Sequence, residues 1–522
     1  MPEDNGNSYD EVPYQSVALN ETHPERLASV ATLFGLDATP VESCRVLEMG
    51  CASGGNLIPL AQLLPESHFV GIDLSNRQIN TAIATAQTVG ATNVEFHAMS
   101  LADVTRELGT FDYILCHGVY SWVPDGVKSA ILRICSENLS KNGVAYVSYN
   151  TLPGWHIPGM VREMMLYHVR NMSDPNAKVK AARAFLDFLG QSIPDREGPY
   201  AKTLIEEAVQ LRPHADSYVL HEHLEDLNHP IYYHEFASRA ADHGLKVFSD
   251  SRVWATAVAV QPPMAAVLDK VARDPIDRDQ YFDFICNRRF RRSLLCRADV
   301  ELLPVPAIER LKKLRASASV WPTTSPTDFA SRTTVDFRAG DGMIRLSTID
   351  PLFKTALLIL SELYPRSVEF EELWSMIRHR LGRAGVEPGT NPDVLAQRLL
   401  QAYVANSLEL HAFEPPFPLE ASGTPEGFPL ARLAAESGPS VPSLRHRQVT
   451  ISDFDRLVIR QLDGTRSHHE IIDRLVNAVT EGAFAINENG LPVRDPIVVR
   501  PILERSLGPC LQRLNRAGLL VR

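Results

Sequence analysis

The sequence lacks long apolar runs and an excess of basic residues. No stretch reaches about 18 uninterrupted apolar residues, so no transmembrane helix is predicted. Residues 1–10 are polar and acidic, which is unlike a secretory signal. Lys and Arg number 52 against 63 Asp and Glu, and the net charge of −11 disfavours a general nucleic-acid binder. We therefore expect a cytoplasmic protein without membrane insertion or a nucleic-acid partner.

The cysteines are scattered and include no CxxC pair. This spacing is typical of reduced thiols in a cytoplasmic protein and not of disulfides or a zinc site. Residues 221–229 carry three histidines, but nothing in the sequence requires them to converge, so no metal site is predicted. The seven cysteines are Cys44, Cys51, Cys116, Cys135, Cys286, Cys296 and Cys510.

A length of 522 residues suggests about three domains at roughly 150 residues each. Short apolar runs alternate with helical patterns from residue 41, which predicts a parallel, doubly wound (Rossmann-like) α/β sheet. Residues 246–252 and 254–260 are predicted to close this sheet after a helical insertion at 156–230. The first five strands are predicted at 45–49, 69–72, 94–98, 111–116 and 144–149.

The remaining chain is predicted to be mainly helical. Two segments each read as three helices followed by a short strand, which predicts winged-helix-like modules. The stretch between them is rich in Pro, Gly and Ser, which is typical of a linker. The predicted divisions are a lead-in or lid at 1–40, the α/β domain at 41–262, a connecting or regulatory region at 263–344, a module at 345–415, the linker at 416–447 and a second module at 448–522.

A glycine loop follows the first predicted strand. Residues 46–56 read Val-Leu-Glu-Met-Gly-Cys-Ala-Ser-Gly-Gly-Asn, and an acidic residue, Asp73, ends the second strand. Glycine lets the backbone approach a ligand closely, and a helix N-terminus offers free N–H groups. The spacing of Glu48, Gly50 and Gly54 resembles motif I of class I methyltransferases, which bind S-adenosylmethionine (SAM).

Longer motifs extend this resemblance over most of residues 8–300. The chain resembles bacterial methyltransferases that carry a methyltransferase regulatory domain, whose best-known members are rickettsial-type lysine methyltransferases of outer-membrane proteins. The family also has a winged-helix-like C-terminal part, to which residues 301–522 are more loosely similar. The motifs are 9–14 (YDEVPY), 22–27 (THPERL), 51–56 (CASGGN), 116–124 (CHGVYSWVP) and 144–155 (VAYVSYNTLPGW).

The resemblance implies a SAM site with S-adenosylhomocysteine (AdoHcy) as product. Glu48 is expected to orient the loop and reach the methionine amino group through backbone or water, Asp73 to hold the ribose diol, and Leu74 to pack on adenine. Tyr14 is expected to act as a lid. The full predicted cofactor set is Tyr14, Glu48, Gly50, Cys51, Ala52, Ser53, Gly54, Asn56, Asp73, Leu74, Met99, Ser100 and His117.

Candidate catalytic and acceptor residues follow the later strands, at the sheet edge where such folds bind ligands. The catalytic candidates are His117, Tyr120, Trp122 and Asn150; ordinary packing in the core is the alternative for the aromatic residues. Trp155 and Glu222 are the substrate-binding candidates, and Glu222 would bind the acceptor ammonium. An Arg-rich run at 288–292 is interpreted as a salt-bridged surface.

The predicted reaction is in-line methyl transfer to a protein lysine, with alignment of the reactants lowering much of the barrier. A small-molecule (natural-product) acceptor is the alternative, followed by a non-catalytic SAM-binding protein. The motif typical of amino-directed DNA methyltransferases is absent after the fourth strand. The helical modules are expected to recognise a protein partner or to hold a homodimer.

Overall fold

A seven-stranded mixed sheet forms the centre of the N-terminal half. The computed structural model describes residues 12, 16–261, 263–324, 328–387, 389–418, 420–488 and 491–522. The strand order is β3-β2-β1-β4-β5-β7-β6, with β1 to β5 parallel and β7 antiparallel to both neighbours. The strands are β1 Arg45–Met49, β2 His68–Asp73, β3 Val94–Ala98, β4 Phe111–Cys116, β5 Leu139–Asn150, β6 Leu245–Asp250 and β7 Phe290–Arg297.

Helices cover both faces of the sheet, as expected for a doubly wound fold. One face packs against α1 (Pro24–Leu33) and α2 (Leu57–Leu63), and the other against α4 (Asp125–Glu137) and α9 (Tyr233–Asp242). Helix α3 is Asn76–Thr88. The chain runs outward from β1 to β3 and then returns to β4 on the other side of β1. The carboxyl ends of β1 and β4 therefore border the crevice where such sheets bind ligands.

The predicted helical insertion is present between β5 and α9. It contains α5 His156–Val169, α6 Pro175–Ser192, α7 Pro199–Leu211 and α8 Asp216–His223. These helices share an apolar cluster of their own, separate from the two clusters beside the sheet. The insertion thus stands next to the carboxyl end of β5.

The prediction of a closing strand at 254–260 is wrong. Those residues lie in two short 3-10 turns, Val253–Ala255 and Ala257–Ala259, and the seventh strand comes from the Arg-rich segment instead. Arg291 is only 1% exposed and pairs with Asp283 and Asp279 of α11 (Pro275–Cys286), which follows α10 (Met264–Val271). Because these ion pairs compensate the buried charge, arginines can lie in a buried strand. The segment therefore lacks the apolar pattern by which the other strands were predicted.

The Arg-rich run is salt-bridged, as interpreted from the sequence. Arg288 pairs with Asp283 at 2.5 Å, and Arg289 pairs with Glu207 of α7 at 2.5 Å. These pairs tie β7 to α11 and to the helical insertion. Three of the arginines are therefore occupied within the fold, which leaves little cationic surface for a phosphate.

The first C-terminal module is built on α13 Pro351–Leu363, α14 Phe370–Arg383 and α15 Pro392–Val404. Its three-stranded sheet has the order β12-β8-β13, and β8 lies upstream of the predicted start at 345. A second small sheet has the order β11-β10-β9. The remaining elements are α12 Ile308–Leu311, β8 Arg315–Ser317, β9 Val320–Pro322, β10 Val335–Ala339, β11 Ile344–Thr348, β12 Val368–Glu369 and β13 Glu409–His411.

Much of the predicted linker at 416–447 is folded. It contains α16 (Pro429–Ser437) and β14 (Ser440–Pro442), whose side chains share one apolar core with the last module. Pro429 occupies the first position of its helix, where proline is tolerated because that N–H has no helical partner. The last module adds β15 Gln448–Thr450, α17 Asp453–Ile459, α18 His468–Thr480, β16 Ile486–Glu488, β17 Leu491–Val493 and α19 Pro496–Arg516.

No helix in the described ranges combines the length and apolar character needed to span a membrane.

Candidate active site

The glycine loop between β1 and α2 lies at the crevice. Gly50, Ala52 and Gly54 all have positive φ, at 77°, 47° and 75°. A Cβ at Gly54 would come within 2.8 Å of the Phe96 ring, so only glycine fits there. The Gly50 and Cys51 amides donate to the Ile72 carbonyl at 2.8 and 3.0 Å. These bonds fix the loop against the end of β2.

Asp73 at the end of β2 faces the loop. Its Oδ2 accepts from the Ala52 amide at 2.9 Å, and its Oδ1 accepts from the Ser75 amide at 2.9 Å. The Met99 amide donates to the Asp73 carbonyl at 3.0 Å, which brings the end of β3 to the same place. Leu74 is 67% exposed beside this carboxylate. The predicted ribose and adenine contacts are therefore adjacent, and Ser100 and Ser53 are half-buried near the same strand ends.

Glu48 is a buried carboxyl group with one oxygen unpaired. Its Oε1 accepts from Asn56 Nδ2 at 2.8 Å, whereas Oε2 has no hydrogen-bond partner among the described residues. Burial raises the pKa of Glu48 to about 8, and the negative charge of Asp73 adds to this effect, although the Asn56 hydrogen bond opposes it. A cation beside Oε2 would relieve this desolvation cost.

His117 follows β4 as predicted and is half-buried. Its Nδ1 lies 2.8 Å from the Tyr146 hydroxyl, and its ring meets Phe290 edge-on at 5.9 Å. Burial and the Arg292 charge lower the pKa of His117 to about 4, so the ring is neutral near pH 7. His117 is therefore suited to hydrogen bonding and not to donating a proton as an acid. Gly118, with φ of 68°, has open space where a Cβ would stand.

Tyr120 lies in the core, which is the alternative left open by the sequence. Its ring is 0% exposed and packs against Phe236 and Tyr149 at 5.3 and 6.0 Å, on the α4 and α9 face of the sheet. Its contacts are therefore those of a core side chain between the sheet and α9. Trp122, two residues later, is half-buried.

Asn150 anchors the segment that returns from the helical insertion. It is buried, and its Nδ2 donates to Asn228 Oδ1 at 3.2 Å. The Thr151 hydroxyl donates to the Ile231 carbonyl at 2.7 Å. These bonds hold residues 228–231 beside the end of β5, so Asn150 helps to position this segment.

Trp155 follows β5, and Glu222 lies in α8 of the helical insertion. Trp155 is 9% exposed, and its ring stacks with that of His223, the residue after Glu222, at 6.3 Å. Glu222 is half-buried, and burial raises the pKa of Glu222 to about 7, against the lowering effect of His221. An aromatic wall and a carboxyl group titrating near neutrality are chemically suited to an amine.

His221 is held by hydrogen bonds within the fold. Its Nδ1 lies 2.8 Å from Glu225, and its Nε2 lies 2.7 Å from the Val12 carbonyl. Within the described ranges no three His, Cys, Asp or Glu side chains are grouped as a metal site. The absence of a metal cofactor stays a prediction.

Three contacts on the loop were missed by the sequence analysis. The Gly55 amide donates to Ser16 Oγ at 2.8 Å, and the Leu19 amide donates to Asn56 Oδ1 at 3.1 Å. His446, from the C-terminal half, donates to the same Asn56 oxygen at 2.7 Å. No local pattern signals such contacts, because they join residues far apart in sequence. Tyr14, the predicted lid, lies outside the described residues.

Three family models match successive parts of the chain. Residues 40–196 match a "Methyltransferase domain", residues 215–297 a "Predicted methyltransferase regulatory domain", and residues 424–519 a "PKMT, C-terminal winged helix domain". The fold, the glycine loop and these matches define the chain as a SAM-dependent methyltransferase, with SAM as its cofactor.

Relatives match nearly the whole chain. The uncharacterized protein RP789 of Rickettsia prowazekii is 34% identical over 523 residues, covering 99% of this chain and 94% of that protein. The structure of PKMT2 from Rickettsia typhi has a TM-score of 0.87 and 27% identity, covering 98% of this chain and 100% of that one. It has also been solved in complex with AdoHcy, with the same TM-score and coverage. The chain belongs to this family of methyltransferases with a regulatory domain and a PKMT winged-helix domain.

The residues at the crevice fit SAM. The unpaired Glu48 Oε2 suits the methionine ammonium, the Asp73 carboxylate suits the ribose diol, and the exposed Leu74 side chain suits the adenine face. Positive φ at Gly50 and Gly54, and the close approach of Val119 and Phe96 to them, require glycine at both positions and fix the course of the loop.

Proposed function

We propose that this chain transfers methyl groups from SAM to lysine side chains of protein substrates. The observation that carries the proposal is the likeness to PKMT2 of Rickettsia typhi, which extends over 98% of the chain. This likeness includes the helical insertion and the C-terminal modules, which lie beyond the methyltransferase sheet. These regions would supply the acceptor specificity that the sheet alone does not determine.

We assign SAM to the predicted loop and strand-end residues. Glu48 Oε2 would accept from the methionine ammonium, and Asp73 would accept from the ribose hydroxyls. Leu74, with Met99 and Ser100, would border the adenine. His117 would donate through Nε2 to the cofactor carboxylate while its Nδ1 remains bonded to Tyr146.

We assign the acceptor lysine to the carboxyl end of β5, beside Trp155 and Glu222. The carboxyl ends of β1, β4 and β5 share one edge because these strands are parallel, so this position adjoins the glycine loop. The Trp155 ring offers a π face to a cation, and ionised Glu222 offers a charge partner. Both would orient the amine toward the methyl group.

The lysine ammonium must lose a proton before it can act as a nucleophile. Its ordinary pKa is about 10.4, and burial near a second positive charge lowers it. Glu222 titrates at about 7, so it can hold the ammonium and then take up its proton. SAM, when bound, supplies the methyl group: the C–N bond forms as the C–S bond breaks, and the electron pair stays on sulfur in AdoHcy.

Methyl-labelled SAM and a cell-envelope protein extract test the proposal. Label should appear in methyl-lysine after hydrolysis of the protein fraction. Asp73→Ala should lose the label because the ribose is no longer held. Glu222→Gln should lower kcat about a hundredfold with little change in the KM for SAM. Glu206→Gln, an exposed change in the insertion, is the matched control and should behave like the unmodified chain.

Two results would contradict the proposal. Label confined to another residue type would exclude lysine as the acceptor. Absence of protein label, with AdoHcy binding intact by calorimetry, would redirect the search to small-molecule acceptors. An unchanged kcat for Glu222→Gln would contradict only the proposed role of Glu222 and not lysine methylation itself.

A further inference from the structure

A loop of the C-terminal winged-helix domain reaches the cofactor loop. His446 lies between β14 and β15, is 2% exposed, and donates through Nε2–H to Asn56 Oδ1 at 2.7 Å. Its φ of 53° is uncommon for a residue with a side chain. The surrounding loop imposes it, since the His446 amide donates to the Ser443 carbonyl at 2.8 Å and the Leu444 amide to the Gly518 carbonyl at 2.8 Å. The domain thus presents this imidazole in one fixed position.

The hydrogen bonds around Asn56 determine which way its amide faces. Oδ1 accepts from the Leu19 amide at 3.1 Å and from His446 at 2.7 Å, and the Thr22 hydroxyl, 3.0 Å away, is closer to the Leu19 carbonyl at 2.8 Å. The NH2 end must therefore face Glu48, to which it donates at 2.8 Å. Asn56 is buried, so losing one of these donors leaves part of its oxygen unsatisfied.

His446 acts on Asn56 as a neutral donor. Burial lowers the pKa of His446 well below its usual value, so the ring carries one proton near pH 7. That proton must lie on Nε2, because the amide oxygen can only accept. The contact therefore adds a directed hydrogen bond without placing a second cation beside the cofactor site.

We propose that His446 is a positioning residue for the cofactor: through Asn56 it holds the Glu48 carboxyl so that Oε2 is presented to the methionine ammonium of SAM. This inference rests on the proposed Glu48–ammonium contact. It assigns part of the cofactor site to a domain 390 residues away in sequence. The domain would then contribute to cofactor affinity as well as to acceptor recognition.

Neighbouring contacts seat the His446 loop at the same junction. Asn20 Nδ2 donates to the Arg445 carbonyl at 3.0 Å, and the His23 ring meets the His446 ring edge-on at 5.4 Å. Arg445 is itself buried and lies 3.1 Å from His411 of β13. Because one junction holds both the loop and Asn56, cofactor binding and seating of the domain would favour each other reciprocally.

Calorimetry on the full chain with two ligands tests this positioning. AdoHcy carries the methionine ammonium, whereas 5′-methylthioadenosine lacks the whole aminobutyrate part. His446→Phe should weaken AdoHcy binding about tenfold, the scale of one buried hydrogen bond. It should change 5′-methylthioadenosine binding less than twofold. His446→Gln keeps an N–H donor at similar reach and should restore AdoHcy affinity to within about threefold.

Gln62→Met is the matched control. Gln62 Oε1 accepts from the Leu430 amide at 3.2 Å, so this variant also removes one hydrogen bond between the two halves but leaves Asn56 untouched. It should bind both ligands normally. In a Glu48→Gln background, His446→Phe should cause little further loss, because both changes act through one chain of contacts.

Several results would overturn the inference. One is AdoHcy binding by His446→Phe as tight as that of the unmodified chain. Another is an equal loss of affinity for both ligands, which would indicate a general structural effect. A loss of AdoHcy affinity in Gln62→Met equal to that in His446→Phe would also indicate a general structural effect. Full AdoHcy affinity in Glu48→Gln alone would instead contradict the proposed contact between Glu48 and the ammonium. This variant therefore tests that contact separately from the role of His446.

Discussion

Two buried glutamates differ in how their carboxyl groups are paired. Glu48 lies in β1 beside the glycine loop, and Glu25 lies where the N-terminal half of the chain contacts the C-terminal half. Glu25 in α1 is 6% exposed, and both of its oxygens are bonded: His411 Nδ1–H donates at 3.0 Å and the Ala412 amide at 3.1 Å. Glu48 is 4% exposed, and among the described residues only one of its oxygens is bonded. The two carboxyl groups are therefore equally buried but unequally satisfied.

Their pKa values move in opposite directions. Burial alone would raise the pKa of Glu25, but the His411 ring, its hydrogen bond and nearby His23 and Arg445 lower it to about 2. Burial raises that of Glu48 to about 8. From an ordinary value of 4.5, each shift corresponds to about 3 kcal/mol at pH 7, stabilising for Glu25 and destabilising for Glu48. Glu25 is thus fully paired within the protein, whereas Glu48 keeps one oxygen without a partner among the described residues, which we propose the ligand supplies.

The largest effect is expected at the junction. Glu25→Ala should lower the free energy of unfolding by about 3–5 kcal/mol at pH 7, because His411 and the Ala412 amide stay buried without the carboxylate that accepts from them. Urea unfolding followed by circular dichroism measures this loss. Glu66→Ala, at an exposed site, should change stability by less than about 0.5 kcal/mol. A loss below about 1 kcal/mol for Glu25→Ala would show that the junction does not hold the halves together.

Glu48→Gln should change stability with the opposite sign. Between pH 4.5 and 8 the folded chain keeps a Glu48 proton that the unfolded chain has lost, so this residue lowers stability as pH rises. Relative to the unmodified chain, Glu48→Gln should therefore gain about 2.5 kcal/mol between pH 5 and pH 7. Urea unfolding at both pH values, with Glu66→Gln as control, measures this difference. Parallel pH profiles for the two chains would mean that Glu48 is ionised in the free protein.

The smallest effect is the pH dependence of AdoHcy binding. An ammonium beside Oε2 favours ionised Glu48, so binding should release up to one proton at pH 7. Affinity should rise about tenfold from pH 6 to 7 and level off near pH 8, where Glu48 and the ligand amine titrate. Other titratable groups at this site include Asp73, Cys51 and His446. Calorimetry in buffers of different ionisation heat measures the proton, and Glu48→Gln should abolish the release.

Sequence patterns predicted the first five strands, the order of the α/β elements and the glycine loop, because apolar periodicity and glycine spacing are local. They failed at β7, where ion pairs from α11 allow Arg291 to be buried in a strand. They also failed at α16, since prolines at a helix start resemble those of a linker. In both places the deciding partner lies elsewhere in the chain.

The candidate site divides in the same way. Glu48, Asp73 and Leu74 could be selected from the sequence because they lie at or directly after strand ends, which the fold class sets; their contacts with SAM stay a prediction. Tyr120 was predicted as an active-site aromatic, but its side-chain direction depends on α9, which packs Phe236 against it. Ser16 and His446 were not predicted, since neither carries a motif.

The sequence by itself determined the methyltransferase sheet, the cofactor loop and the acidic residues that face it, because these follow from local backbone preferences and strand ends. Only the tertiary structure decided that the C-terminal winged helix touches Asn56, that Glu25 is paired and that Glu48 keeps an open oxygen. Those features depend on desolvation and on contacts across hundreds of residues, which no local pattern encodes.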